Sequence, residues 1–250
     1  MAGGGYDMTS IIILTYNQLE YTKQCLKSVW CNTDRPHEII VIDNASTDGT
    51  VEWLKMVYDN GYIDELIINE TNKGVPAAWN QGIACTSDKA DYYLFLNNDT
   101  IVPKEWLSGL IRQANLAEYR VGAVGPVSNY VSGPQLRPAT YSLDEFESFA
   151  SSWAEGHKNH IAFWRLVGFC LLIPAVIVCD VGLFDEDFGR GNFEDDDYCQ
   201  RIIKAGYQNV ICESVYVHHF GSKSWEPGAL DEQLKKNWVL FNEKHPGAYK

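Results

Sequence analysis

The sequence predicts an α/β protein built on a mostly parallel sheet covered by helices on both faces. Three observations carry that expectation. Short apolar runs recur along the first half of the chain, helical apolar spacing separates them, and no long linker or internal repeat divides the whole. A strand with one wet face alternates apolar and polar residues, whereas these runs are apolar throughout and need cover on both sides. With 250 residues, 46% of them hydrophobic and 21% charged, the chain can bury one large core. It reads as one domain with two functional halves.

Ser10 to Leu14 (SIIIL) is the first strand, followed by the polar loop Thr15-Tyr16-Asn17 and a helix face at Leu26, Val29 and Trp30. Glu38 to Ile42 (EIIVI) repeats the device, ending in Asp43-Asn44-Ala45-Ser46-Thr47-Asp48-Gly49-Thr50, after which Val51, Leu54 and Val57 mark a second helix. Leu66 to Ile68 is a third strand, Ala77 to Ala84 a third helix, Asp91 to Leu96 a fourth strand and Val121 to Val127 a fifth. After about residue 130 the rhythm changes. Residues 130–160 are polar and punctuated by Pro and Gly, with Phe146, Phe149 and Trp153 spaced for one helical face, and read as a substrate-facing excursion. Leu166 to Ile173 predicts a strand, Asp195 to Ala205 a helix, Gln208 to Val217 one or two strands, and Leu230 to Phe241 a closing helix. The main domain is expected over residues 9–225, with its halves meeting near 127, and residues 226–250 as a helical extension packed on it.

Charge and composition exclude several classes. Twenty basic against 33 acidic residues leave a net charge of -13, unsuited to a protein that lives on nucleic-acid phosphates. The apolar tract from Phe169 to Cys179 is broken by Pro174 and is too short for the roughly 20 residues that a membrane-spanning helix needs. Met1 to Gly5 shows neither the basic cluster nor the apolar stretch of a secretion signal, and the seven cysteines, irregularly spaced, read as small hydrophobes in a reducing compartment. A cytoplasmic protein is expected, with peripheral association at the inner face of a membrane left open.

Polar residues follow the apolar strands at three places: Thr15 and Asn17, Asp43 and Asn44, and Asn97 to Asp99. Such residues commonly cap helices and form turns. Ligands of open α/β sheets, however, bind beyond the carboxyl ends of strands, so all three clusters are expected to meet in one crevice. Asn97-Asn98-Asp99 supplies oxygen ligands suited to a hard divalent ion that retains places for phosphate oxygens. Glu194-Asp195-Asp196-Asp197 opens a helix, whose free amides and dipole favour negative charge. Asp195 or Glu194 is a candidate general base, and Asp197 with Arg201 an i,i+4 pair. His218 and His219 end a strand ahead of a Gly-containing loop with Lys223, and alternation sends at most one of them into the crevice. No G-x-G-x-x-G, G-x-x-x-x-G-K-[ST] or G-x-S-x-G motif is present, which argues against a Rossmann dehydrogenase, a P-loop nucleotidase and an α/β-hydrolase.

In these residues the chain resembles a family 2 glycosyltransferase, the inverting enzymes of GT-A fold that use nucleotide-sugar donors, and among them the rhamnosyltransferase-type members. The resemblance spans about residues 9–225 and rests on five motifs in order. Ile11 to Asn17 matches the first strand and loop, and Val41 to Thr50 the second signature, implying nucleotide contacts from Thr15, Tyr16, Asn17, Asp43 and Asn44, with Asp43 on the base. Asn72-Lys73-Gly74 with Ala78, Asn80 and Gly82 matches the segment that closes round the nucleotide. Asn97-Asn98-Asp99 stands at the metal motif, implying Asp99 as the contact of Mn2+ or Mg2+ and Asn97 and Asn98 as further nucleotide contacts, with Asn97 where the family has an acid. Gly168 to Ile173 resembles the acceptor side, with Trp164, Gly168, Phe169 and Asp197 as implied contacts. Phe193-Glu194-Asp195 resembles the base motif, with Asp195 as base and Glu194 beside it, and His218 or His219 matches a late histidine that helps bind metal or pyrophosphate.

The activity so implied is metal-dependent, inverting transfer from a nucleotide diphosphate sugar, with UDP- or dTDP-sugars favoured. The acceptor is a glycan or lipid-linked glycan in cell-surface polysaccharide assembly. A sugar-phosphate nucleotidyltransferase and a non-catalytic sugar-binding domain remain the alternatives.

Overall fold

The five apolar runs of the first half all become strands. The structure, a computed structural model, describes residues 7–221 and 229–249. In chain order its elements are β1 (Thr9–Thr15), α1 (Leu19–Asn32), β2 (His37–Asp43), α2 (Thr50–Asp59), β3 (Glu65–Ile68), α3 (Val75–Ala84), β4 (Tyr92–Asn97), β5 (Thr100–Ile101), α4 (Trp106–Ala114) and β6 (Val121–Ser128). Then follow α5 (Phe146–Gly156), β7 (His160–Ala162), β8 (Cys170–Pro174), α6 (Ala175–Val181), α7 (Glu194–Lys204), β9 (Gln208–His219) and α8 (Ala229–Lys244).

Among the described residues the strands form a sheet in the order β3-β2-β1-β4-β8-β6-β9-β5, with β7 on β9. The first half is parallel, as expected: β1 pairs β2 and β4, and β2 pairs β3. The second half is mixed, because β8 enters antiparallel between β4 and β6, while β6 and β9 run parallel. This inversion matters for function. The carboxyl ends of β1, β2, β4, β6 and β9 share one edge of the sheet, and the antiparallel β8 brings its start, rather than its end, to that same edge, with Cys170 opposite Leu96.

Alternation explains why the runs are apolar throughout. On β1, Ile11 and Ile13 face a core with Leu26 and Val29 of α1, Leu54 of α2 and Trp106 and Leu110 of α4. Ile12 faces the opposite core with Trp79 of α3, Phe146 of α5 and Tyr198 and Ile202 of α7.

The structure departs from the sequence expectations at definite points. Helix α4 was not predicted: it spans only nine residues and carries Gly109 in its middle. That glycine is a close approach, since a Cβ there would stand 2.5 Å from a Val215 methyl on β9. The strand expected over Leu166 to Ile173 begins only at Cys170, because the Gly168 amide is turned to the Asp195 carboxylate and not to the sheet. Gln208 to Val217 lies in a single strand whose pairing to β6 slips between Pro126 and Val127. The 130–160 excursion does contain the helix that its aromatic spacing indicated.

Helix α8 closes the fold against the segment before α7. Phe241 is fully buried, and the Asn237 side-chain amide donates to the carbonyls of Phe188, Gly191 and Asn192 at 2.7, 2.9 and 2.9 Å. Those carbonyls belong to a turn in which Gly189, Gly191, Asn192 and Phe193 all have positive φ. Asn192 and Phe193 hold a conformation that side chains seldom adopt, and α8 ties it down.

Candidate active site

A cavity of about 850 Å³ opens at the strand-end edge, within the size range of small-molecule sites. Its wall draws on both halves of the chain: Leu14 and Tyr16 after β1, Asn44 after β2, Asn72 and Gly74 before α3, and Asn97, Asn98 and Asp99 after β4. From the second half come Asn129 and Tyr130 after β6, Gly168 and Phe169 before β8, Glu194, Asp195 and Asp196 of α7, and His219 of β9. Asn44 and the Asn97–Asp99 cluster therefore meet in one crevice, as the parallel arrangement requires, whereas Thr15, Asn17 and Asp43 do not line it.

At the expected nucleotide end, Asn44 is nearly fully buried and organises the loop before α3. Its side-chain amide donates to the Gly74 carbonyl at 3.1 Å, while its oxygen accepts from the Asn69 side chain at 2.9 Å and the Lys73 amide at 3.3 Å. Asn72 in turn accepts from the Gly74 amide at 2.9 Å. Gly74 has φ +86°, and a Cβ there would lie 1.9 Å from the Gly189 carbonyl oxygen, so no other residue fits between the two halves.

Not every predicted nucleotide residue faces the cavity. Asp43 is fully buried, its carboxylate accepting from Thr15 Oγ1 at 2.9 Å and from the amide and hydroxyl of Ser46 at 2.8 and 2.5 Å. Asn17 binds the same loop, its amide donating to Ser46 Oγ and its side-chain oxygen accepting from the Thr47 amide, both at 2.7 Å. Thr15, Asn17 and Asp43 thus lie behind the wall and lock the β1–α1 and β2–α2 loops together. Asn80 is also elsewhere: it exchanges hydrogen bonds with the backbone of Phe184, both at 2.9 Å, because its side of α3 faces the 184–186 turn.

Asp99 and His219 face each other on the cavity wall, Oδ1 to Nε2 at 3.2 Å, each less than a tenth exposed. The His219 Nδ1 lies 2.7 Å from the Tyr130 carbonyl oxygen, which can only accept, so Nδ1 carries the proton. In the neutral ring this leaves the Nε2 lone pair aimed at a carboxylate, an arrangement a divalent cation between them would satisfy. Phe169 stacks on the imidazole at 5.0 Å and 16° and fixes its plane. Among the described residues no group of three or more His, Cys, Asp or Glu side chains is placed to hold a metal ion. Two protein ligands completed by phosphate oxygens suit Mn2+ or Mg2+, which retain sites for substrate. Of the two histidines, of which alternation allowed at most one in the crevice, His219 lines the cavity and His218 does not. His218 points to the other face, where its Nδ1 meets the Tyr141 hydroxyl at 2.8 Å and burial, with His219 nearby, pushes its pKa down to about 4. Lys223, in the following loop, lies outside the described residues.

Across the cavity, Asp195 is held by two backbone amides, Gly168 to Oδ2 at 2.8 Å and Asp196 to Oδ1 at 2.9 Å. It sits in the first turn of α7, where free amides favour a carboxylate. The four consecutive acids cannot all ionise at once. Burial and the Asp195 charge push the Glu194 carboxyl well above its ordinary range; the same two effects raise Asp196 to about 7 against the opposing Arg165 guanidinium, 2.6 Å away.

Of the expected acceptor contacts, Gly168 and Phe169 line the cavity, whereas Trp164 and Asp197 do not. Trp164 packs edge-on against Tyr249 at 4.5 Å, and Asp197 turns inward to Arg201 at 2.8 Å and His245 at 2.7 Å. Tyr130 opens the excursion expected to face substrate and lines the cavity, while sequence reasoning missed Arg165 and Asn129, and Leu234, Trp238 and Tyr249 from the last residues described. The closing helix was legible as an amphipathic segment, but nothing in its spacing tied it to the site.

Comparison with known proteins bears on this arrangement. Residues 10–167 match the model of Glycosyl transferase family 2. Over 270 aligned residues the chain is 26% identical to the N-acetylglucosaminyl-diphospho-decaprenol L-rhamnosyltransferase of Mycobacterium tuberculosis, covering 96% of this chain and 86% of that protein. Its fold is similar to that of GalNAc-T7, solved with UDP, GalNAc and Mn2+, with a TM-score of 0.73 at 16% identity, covering 96% of this chain and 48% of that one. It is also similar to the mannosyltransferase PcManGT of Pyrobaculum calidifontis, solved with GDP-Man and Mn2+, with a TM-score of 0.70 at 19% identity over 96% of this chain and 64% of that one. The chain therefore spans about half to two thirds of these solved chains. No described helix is long and apolar enough to cross a membrane.

Proposed function

We propose that this chain, which belongs to glycosyl transferase family 2, transfers a sugar from a nucleotide diphosphate donor to a hydroxyl of a glycan or lipid-linked glycan, with inversion at the anomeric carbon. The observation that carries the reading is the opening of two unlike groups onto one cavity: the Asp99–His219 pair on one wall and the doubly anchored Asp195 carboxylate on another. Asp195 accepts the acceptor proton as the new C–O bond forms and the bond to the diphosphate breaks. Its two backbone donors fix the carboxylate plane, so no reorientation is needed at that moment. Tyr16, Asn44, Asn72 and Gly74 bind the nucleotide end of the donor, and the Thr15–Asp43–Ser46 network holds their loops in place. Asp99 and His219 hold Mn2+ or Mg2+, which when bound offsets the charge of the departing diphosphate.

UDP- and dTDP-sugars are the favoured donors. A rhamnosyl donor and a lipid-linked acceptor are suggested by likeness to the mycobacterial N-acetylglucosaminyl-diphospho-decaprenol L-rhamnosyltransferase, and a role in cell-surface polysaccharide assembly would suit such an acceptor. The cytoplasm, with peripheral attachment to the inner face of the membrane, is the compartment that suits these substrates.

A thermal-shift screen of UDP-, dTDP- and GDP-sugars with Mn2+, Mg2+ or chelator tests the reading. A donor at 100 times its Kd stabilises by about 2.7 kcal/mol, which at this size is a rise of roughly 5–10 °C in Tm. The rise should vanish with chelator and in His219→Ala, while His218→Phe keeps it. Released nucleoside diphosphate identifies glycosyl transfer, and release of pyrophosphate would replace the proposal with nucleotidyl transfer. No response to any donor with either metal overturns it.

A further inference from the structure

The part of the cavity built by Leu234, Trp238 and Tyr249 lies outside the residues 10–167 that match the family and apart from the Asp99–His219 pair. Leu234 and Trp238 reach the cavity from α8 and Tyr249 from the segment after it. Large aromatic side chains are ordinarily spent on burial, yet Trp238 is 42% exposed and Tyr249 37% exposed. They are mutually braced: the Trp238 and Tyr249 rings lie 4.9 Å apart at 63°, and Phe193, the residue before Glu194, stands 5.7 Å from Trp238. An aromatic wall therefore adjoins the carboxylates of α7, and the Asn237 clamp to the 188–192 turn fixes its position relative to Asp195.

The chemistry beside this wall limits what it can receive. Asp196 is paired with Arg165 at 2.6 Å, and both residues line the same cavity as Tyr249. A hydrocarbon chain laid here would leave charged and polar groups without water or partners, at a cost of several kcal/mol. A pyranose ring suits it: its C–H faces cover aromatic surface, and its peripheral hydroxyls reach carboxylate and guanidinium groups. We infer that Trp238 and Tyr249 form a subsite for a pyranose ring, the terminal sugar of the acceptor, which holds that ring beside Asp195. The role as acceptor subsite rests on the transfer reading; the binding of a sugar ring does not.

The experiment is saturation-transfer difference NMR on the full chain with methyl glycosides of glucose, N-acetylglucosamine, mannose and rhamnose. At least one should receive saturation at its ring C–H protons. Trp238→Ala should lower that signal at least fivefold, Trp238→Phe should keep most of it, and Tyr249→Ala, close to the end of the chain, should reduce it through a second site. In transfer assays with the same glycoside, Trp238→Ala should raise the acceptor KM at least tenfold, with Trp238→Phe near wild type. Binding of none of the four glycosides, or equal binding by wild type, Trp238→Ala and Tyr249→Ala, overturns the subsite. Failure of the transfer reading looks different: no sugar nucleotide raises Tm, while Trp238-dependent glycoside binding persists.

Discussion

Replacing Asp195 by Asn separates chemistry from architecture, because the side chain keeps its shape and loses its basicity. Oδ1 and Oδ2 each accept one backbone amide, from Asp196 and Gly168. An asparagine can accept one of these and must turn its NH2 toward the other donor, leaving a buried amide unpaired at a cost of about 1–3 kcal/mol. Against this, the substitution removes one negative charge from between Glu194 and Asp196, whose carboxyls are raised by burial and by that charge. The two effects oppose each other, so the net stability change should stay within about 2 kcal/mol, or roughly 4–8 °C in Tm. The loss in turnover should be far larger. A general base contributes about 10²- to 10⁴-fold, equivalent to about 3–5 kcal/mol of barrier. The assay is the acceptor-dependent release of nucleoside diphosphate, with Tm and the donor-induced shift measured on the same preparation. Turnover within tenfold of wild type in a folded Asp195→Asn protein would refute the base assignment.

Two further predictions follow from geometry and from linkage. Gly74→Ala places a methyl 1.9 Å from the Gly189 oxygen at a φ of +86°; backbone strain alone costs about 1–3 kcal/mol. Its Tm should fall by roughly 5–10 °C, and a melting curve indistinguishable from wild type would show that the 74–189 contact is not as close as described. Glu194 has a folded pKa raised by burial and by the Asp195 charge, so its contribution to stability is complete below its unfolded value near pH 4 and is lost as pH rises through the folded value. Glu194→Gln, which mimics the protonated acid, should therefore raise Tm at pH 8 while changing it little at pH 5. An equal change at both pH values would contradict the sign.

The first half was legible because burial on both faces writes itself into a strand as unbroken Ile, Val and Leu. The motif residues after those strands were legible for the same reason: the end of the apolar run marks the sheet edge. What the sequence could not convey was which way a polar side chain turns once there. Asp43 and Asn44 are neighbours, yet one locks two loops from behind and the other faces the cavity. Alternation did limit the histidines to one useful member, but the choice of His219 over His218 needed the Tyr130 carbonyl and the Phe169 ring, both remote in sequence. The contribution of α8 was illegible because its aromatic residues meet α7 through a tertiary contact with no local periodic trace. Gly109 misled in the opposite sense, since a residue that weakens helices locally was required by the approach of β9.

The cavity wall includes Leu14 from the first strand and Tyr249 from beyond the last helix. During synthesis, therefore, the sheet can assemble well before the catalytic cleft is complete: the turn that presents Asp195 lacks its Asn237 fastener until α8 has left the ribosome. A nascent chain at that stage already holds the residues of its strand-end edge, but lacks the wall that Leu234, Trp238 and Tyr249 contribute.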